Sequence, residues 1–303
     1  MELNAEQTLL VEAIDMLGAR WRDLPRGHER DYAHYAADLQ AALASGGFLR
    51  AGLDMGMLEA ALVVIEVSRL PSTTTVGASA LVATALLGDV PDGPVALLSN
   101  HRERAHRMLA VARHAFVEDG DDAVFLDLAA VAVEPVESIY AYPYGRFTEP
   151  LDLSRGQRLR GAADRLRQWR RVAIAAECAG AAQSAIAVTL EHVKQRLVFG
   201  HPVGAFQAVQ HRLAQCHQIA RAMRFLALRA AWSGETPDAD IAATYAQDHV
   251  NKLGFDLHQF NGGMGVTAEH RLHFFTYRLR ALQAEVGGAD SAASAIYDHH
   301  WGA

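Results

Sequence analysis

The chain has 303 residues, 50% of them hydrophobic, enough for one or two domains with a substantial core and a small extra module. Lys plus Arg is 28 and Asp plus Glu is 35, a net charge of −7; with no basic block, nucleic acid and anionic membranes are poor partners. The two cysteines, Cys178 and Cys216, fall inside apolar helical patterns, as core residues of a reduced, cytoplasmic protein do, and not in a disulfide or zinc framework.

In chain order, the start "MELNAEQTLL" has neither a basic stretch nor an apolar one, so no secretory signal is expected. "AEQTLLVEAIDMLGARW" carries apolar residues at helical spacing, and "MLEAALVVIEVSRLP" predicts a helix stopped by Pro71. Residues 1–92 are expected to form an N-terminal helical domain. Residues 93–153 change character: "PVALLSN" is a short apolar run between turn residues, and a valine-rich alternating stretch follows, with Asp119-Gly120 as a hairpin turn.

From 154 to 303 the pattern is helical again. "RVAIAAECAGAAQSAIAVTL" is the longest apolar segment, but its small residues and Glu177, Gln183 and Ser184 predict a bundle helix and not a membrane span. Phe206, Val209, Leu213, Cys216, Ala220, Met223, Ala227 and Ala230 alternate spacings of three and four, a seam toward neighbouring helices. Thr236-Pro237-Asp238 predicts a capped helix start, and that helix is expected to run to Gly262 and Gly263. "TAEHRLHFFTYRLRAL" predicts a further helix. The fold class is therefore mainly α with a small β insert. The 15 histidines include no His-Glu-x-x-His or similar cluster, and Asp298-His299-His300 is expected to be terminal and solvated, so no metal is expected.

Two motifs stand at helix boundaries. One reads Arg196-Leu-Val-Phe199-Gly200-His-Pro202-Val203, then Phe206-Gln207-Ala-Val-Gln210-His211; the other reads Gln259-Phe-Asn-Gly262-Gly263-Met-Gly265-Val-Thr267-Ala-Glu269. In both, the chain resembles the acyl-CoA dehydrogenases, closely over residues 154 to about 285, loosely in the N-terminal helices and poorly in the β module. The resemblance implies an N-terminal helical domain, a reduced β module and a C-terminal four-helix bundle. It also implies FAD bound at a subunit interface. Arg196, Phe199, Phe206, Gln207, Gln259, Gly262 and Gly263 would then touch a cofactor held mainly by the neighbouring subunit. The chemistry agrees: a pyrophosphate dianion calls for a guanidinium and backbone N–H groups, and glycines let backbone approach closely.

The catalytic parts of the resemblance are missing. The family's glutamate base, positioned from Tyr277-Arg278, falls on Gly287, and the alternative base position falls on Arg170; neither accepts a proton. No catalytic residue is therefore assigned, with Glu285 and Glu177 as the neighbouring carboxylates. The family's flavin-ring segments, Thr-Glu-Pro-x-x-Gly-Ser-Asp and Trp-Ile-Thr, are absent; Thr148-Glu149-Pro150 lies after the strands and lacks the rest. By resemblance, contacts to a neighbour's FAD remain while the chain's own do not. That pattern implies the non-catalytic subunit of an α2β2 acyl-CoA dehydrogenase. Its partner would be a full-length homologue, its substrate a steroid or cholate side-chain CoA thioester, and its electron acceptor an electron-transfer flavoprotein. A pseudoenzyme that binds no flavin, or a flavin oxidase or monooxygenase, are the alternatives. Colour separates them: yellow only with a partner, never, or alone.

Overall fold

The computed structural model describes residues 3–23 and 33–302; Met1 and Glu2 of the start segment lie outside them. Helix α1 (Ala5–Gly18) begins with a capping box, the Gln7 amide donating to Asn4 Oδ1 at 2.8 Å and the Asn4 amide to Gln7 Oε1 at 3.0 Å. The short helices α2 (Ala37–Ser45) and α3 (Ala51–Asp54) lead to α4 (Met57–Val67), which is buried from Ala60 onward and ends ahead of Pro71. A π-helical turn over Ala78–Ala83 runs into α5 (Thr84–Leu87).

Seven strands follow: β1 (Val95–Leu97), β2 (His106–Arg107), β3 (His114–Asp119), β4 (Asp122–Asp127), β5 (Val133–Val136), β6 (Tyr144–Phe147) and β7 (Gln157–Leu159). They form two sheets, ordered β1-β3-β4-β7 and β2-β6-β5, with β1 parallel to β3 and the other pairs antiparallel. The hairpin at Asp119-Gly120 joins β3 and β4, as the sequence predicts. Strand residues run to Leu159, beyond residue 153, because β7 pairs with β4. The alternation of side chains divides the work of the first sheet. Ala96, Ala115, Val117, Val124 and Leu126 pack with Leu109 and Phe147 in a core of the module's own. Val95, Leu97, Phe116 and Ala123 point the other way and join the helical core.

The axis of the molecule is α6 (Ala163–Gln195). By length and composition it could cross a membrane, but 78% of its apolar window is buried inside the protein, where it is the central bundle helix. A tight hairpin of β8 (Leu197–Val198) and β9 (His201–Pro202) leads into α7 (Gln207–Ser233), then α8 (Thr236–Asp248), α9 (Val250–Asn261), α10 (Leu272–Gln283) and α11 (Gly288–Trp301). The chain is thus mainly α with a small β insert, as expected.

Three local expectations need correction. Phe206, the first member of the α7 seam, is 40% exposed, whereas Leu213, Cys216, Ala220, Met223, Ala227 and Ala230 are buried. Thr236 is already helical; Glu235 precedes the helix without a side-chain cap, and the Thr236 hydroxyl instead bonds Gln168 Oε1 at 3.3 Å. The helix expected to run from Thr236 to the glycines is two helices, broken at His249. His299 and His300 lie in the last turn of α11. Both cysteines are free and buried.

Gly180 lets α6 approach α4: a Cβ there would lie 2.2 Å from Ile65 O and 2.7 Å from Ser68 Cβ. Since backbone cannot yield as a side chain does, Gly180→Ala is expected to destabilise the fold by about 1–3 kcal/mol. Equilibrium unfolding in urea checks this, and a midpoint at or above wild type contradicts the close packing.

Candidate functional site

The two motifs meet at one end of the bundle. The Asn261 amide, next to Gly262, donates to Thr189 Oγ1 on α6 at 2.9 Å. The rings of His192 and His270 lie 5.3 Å apart, joining the last turn of α6 to the segment after the glycines. Arg196 is the C-cap residue of α6, extended and exposed, and no ion pair engages it among the described residues. Beyond it, the β8–β9 hairpin turns on Phe199-Gly200, with φ of +51° and +78°. Two successive positive φ values match the right-handed twist of a two-residue hairpin. Glycine adopts that region freely; phenylalanine does so at a cost, and here its ring is also 91% exposed. A strained backbone that presents an aromatic ring to water points to a contact made outside the chain.

The surroundings share this outward character. Leu197 is 60% exposed, Met264 44% and Val266 78%. Gln207 opens α7, a helix with no side-chain cap, so its first N–H groups face outward beside Phe206. Gln259, Gly262 and Gly263 are exposed, and a Cβ at either glycine would meet nothing within 4 Å. All seven sequence-predicted residues therefore sit on the surface of one end. They offer a guanidinium, helix N–H groups, amides and bare backbone, which suits an anionic, partly aromatic group lying against the end from outside.

The two expected base positions also come together, but elsewhere. Gly287 and Arg170 line one cavity of about 590 Å³ between the β module, α6 and the α10–α11 link. Gly287 has φ +80°, and a Cβ there would sit 2.7 Å from Ser291 Cβ, so the base position is closed to an ordinary side chain as well as empty. Glu285 lines the same cavity. Continued helix would have turned it away from Gly287, but Val286 between them has φ +53° and breaks the helical progression. Glu177 lies deeper, in a small pocket with Thr75 and Met108.

Buried ion pairs occupy the cavity wall. Arg107 Nη1 lies 2.7 Å from Glu177 Oε2, and Arg107 Nε lies 3.4 Å from Glu285 Oε1. Arg170 donates to Leu98 O at 2.7 Å and lies 3.7 Å from Glu285 and 4.0 Å from Glu118, which also pairs with Arg167 at 2.8 Å. Tyr142 donates to Glu177 at 3.3 Å beneath the Arg107 guanidinium. Burial pulls the Arg107 guanidinium down, but Glu177, Tyr142, Glu285 and Tyr144 together outweigh it and the net shift is upward. Burial lowers Arg170, and it pushes the Tyr142 phenol up to about 12. Both alternative bases are thus held by arginines, and the space beside Gly287 is lined by fixed charge instead of the neutral donors that cradle a flat ring.

Sequence reasoning missed Arg107, Glu118, Tyr142 and Arg167. One signal was present: Arg170 and Arg171 interrupt an apolar helix, and both are buried, Arg171 paired with Asp240 on α8.

Residues 162–298 match the family profile described as "Acyl-CoA dehydrogenase, C-terminal domain". Over that stretch, a little under half of its length, the chain is similar to the acyl-CoA dehydrogenases. It is 32% identical over 107 residues to acyl-CoA dehydrogenase IpdE2 of Mycobacterium tuberculosis, which covers 35% of this chain and 34% of that protein. The chain thus spans about a third of the length of such curated relatives. Among solved structures, the ChsE4-ChsE5 complex from Mycobacterium tuberculosis superposes at TM-score 0.80 with 18% identity, covering 97% of both chains. The Tcur3481-Tcur3483 steroid ACAD superposes at 0.82 with 20% identity, also covering 97% of both. At these identities the likeness is one of fold. FAD is the cofactor of the acyl-CoA dehydrogenase family. In this chain the exposed end fits its anionic portion, and the arginine-lined cavity does not fit its ring.

Burial lowers His106, His192 and His270 below the ordinary histidine value of 6.5. The unfolded chain then takes up protons near pH 6.5 that the folded chain refuses, so folding stability is expected to fall as pH drops through and below 6.5. Melting temperature against pH checks this; a flat profile between pH 7 and 5 contradicts it.

Proposed function

We propose that this chain is the non-catalytic subunit of a hetero-oligomeric, FAD-dependent acyl-CoA dehydrogenase, paired as α2β2 with a full-length homologue. One observation carries the reading. The residues suited to a cofactor face outward at one end of the bundle, while the cavity that holds both expected base positions is walled by arginine–glutamate pairs.

In such an assembly, Arg196 supplies positive charge to the pyrophosphate of the partner's FAD, with the α7 N-terminal N–H groups beside it. Phe199 and Phe206 pack on the dinucleotide. Gln207 and Gln259 hydrogen-bond it, and Gly262-Gly263 let backbone lie close. FAD held there would supply the hydride acceptor for the substrate Cβ, and the partner would supply the base for the α-proton. This chain moves no proton: Gly287 has no acid–base group, and Arg107 and Arg170 hold Glu285.

Support for a hetero-oligomer comes from the two-chain complexes that share the fold. One of them is a steroid ACAD, which supports a bulky steroid side-chain CoA thioester as substrate. An electron-transfer flavoprotein is the proposed acceptor, and the cytoplasm the proposed site. Co-expression with a homologue that carries the base and the ring-binding segments tests the reading. A yellow complex active on a steroid side-chain CoA thioester, where neither chain alone is both, is the expected result; failure of the two chains to associate contradicts it.

A further inference from the structure

Glu285 stands apart from the other carboxylates of the interior cavity. Glu177 and Glu118 each accept a hydrogen bond from an arginine, at 2.7 and 2.8 Å. The Glu285 carboxylate lies between Arg107 and Arg170 at 3.4 and 3.7 Å and accepts no hydrogen bond among the described residues. Its side chain is also the more open one, 18% exposed against 8% and 3% for the two arginines. Its backbone is anchored independently, since Gln247 Nε2 donates to Glu285 O at 2.9 Å and to Leu282 O at 2.8 Å. The side chain can therefore swing toward the mouth by rotation about its own bonds, with no change in the backbone.

Swinging Glu285 out changes the charge balance. Arg107 keeps Glu177, but the buried Arg170 is left with Glu118 alone, 4.0 Å away and already hydrogen-bonded by Arg167. Two buried polar atoms in the same wall, Arg170 Nε and His106 Nε2, have no hydrogen-bond partner among the described residues. The backbone of Ser99 takes the other ring nitrogen of His106 at 3.3 Å. A buried cation without a counter-charge is costly, and buried donors seek acceptors.

We propose that this cavity binds a small oxyanion, a carboxylate or a phosphate, between Arg107 and Arg170, and that Glu285 is a built-in stand-in that the ligand displaces. Arg170 Nε and His106 Nε2 complete the ligand's shell. The site lies in this chain alone and does not depend on flavin or on a partner.

The test is calorimetric titration of the purified chain with inorganic phosphate and with succinate, each against sodium chloride at matched ionic strength. Saturable binding of either anion, or both, beyond the chloride effect is expected; which of them binds identifies the source. Glu285→Gln removes the competing charge and is expected to tighten binding about tenfold or more, because the competent state no longer has to be vacated. Arg170→Gln is expected to abolish binding. Since that variant removes a buried cation and risks the fold, Glu285→Gln carries the decision. Titrations of wild type and Glu285→Gln that both match chloride overturn the proposal, as does weaker binding by Glu285→Gln.

Discussion

Arg107→Met is expected to destabilise the chain by about 3–5 kcal/mol, a large share of the roughly 5–15 kcal/mol that holds a typical domain folded. Arg107 stands on a two-residue strand of the β module and reaches Glu177 on α6 at 2.7 Å and Glu285 on the α10–α11 link at 3.4 Å. It is 8% exposed and Glu177 is 5% exposed. Among the described residues, removing the guanidinium leaves Glu177 with only the Tyr142 hydroxyl, a carboxylate stranded in the interior. The cost comes from that uncompensated charge more than from the lost attraction. Urea unfolding measures it. The double variant Arg107→Met with Glu177→Leu should recover much of the loss, since the stranded charge goes with its partner. A single variant within experimental error of wild type would contradict a structural role for the cluster.

The second large effect lies on the opposite kind of residue. Arg196→Ala should leave folding unchanged, because Arg196 is exposed and makes no ion pair among the described residues. It should instead lower FAD affinity in the hetero-complex. A charge-assisted contact to a pyrophosphate is worth about 1.5–3 kcal/mol, roughly tenfold to more than a hundredfold in affinity. Flavin retained after dialysis of the complex reads this directly. Wild-type retention would reduce Arg196 to a helix end with a favourable dipole partner. Opposite responses, stability at Arg107 and cofactor at Arg196, separate the inner cluster from the outer face.

These two residues also mark what the sequence could reveal. The helical and strand periods, the hairpin at Asp119-Gly120 and the glycines after α9 are local signals, each contained within a few residues of chain. The motif around Arg196, Phe199 and Gln207 was legible for the same reason, and so was the glycine at position 287. The arginine cluster was not. Arg107 meets Glu177 across 70 residues, and Arg170 meets the Leu98 carbonyl across 72. No periodicity in either segment encodes such a meeting; only the docking of the β module onto α6 creates it. The break at His249 was hidden too, because neither glycine nor proline marks it and helical spacing continues through it. Glu285 and Gly287 share one cavity because Val286 between them adopts φ +53°, a break that no residue type in the segment announces.

The central claim is that this chain holds no flavin in its own cavity and contacts that of a partner. Its most direct measurement is flavin content, by absorbance after gel filtration, of the chain purified alone and of the chain co-expressed with a homologue carrying the base. The expected result is a colourless chain alone and a yellow complex that loses flavin in Arg196→Ala. Stoichiometric flavin bound to the isolated chain would contradict it.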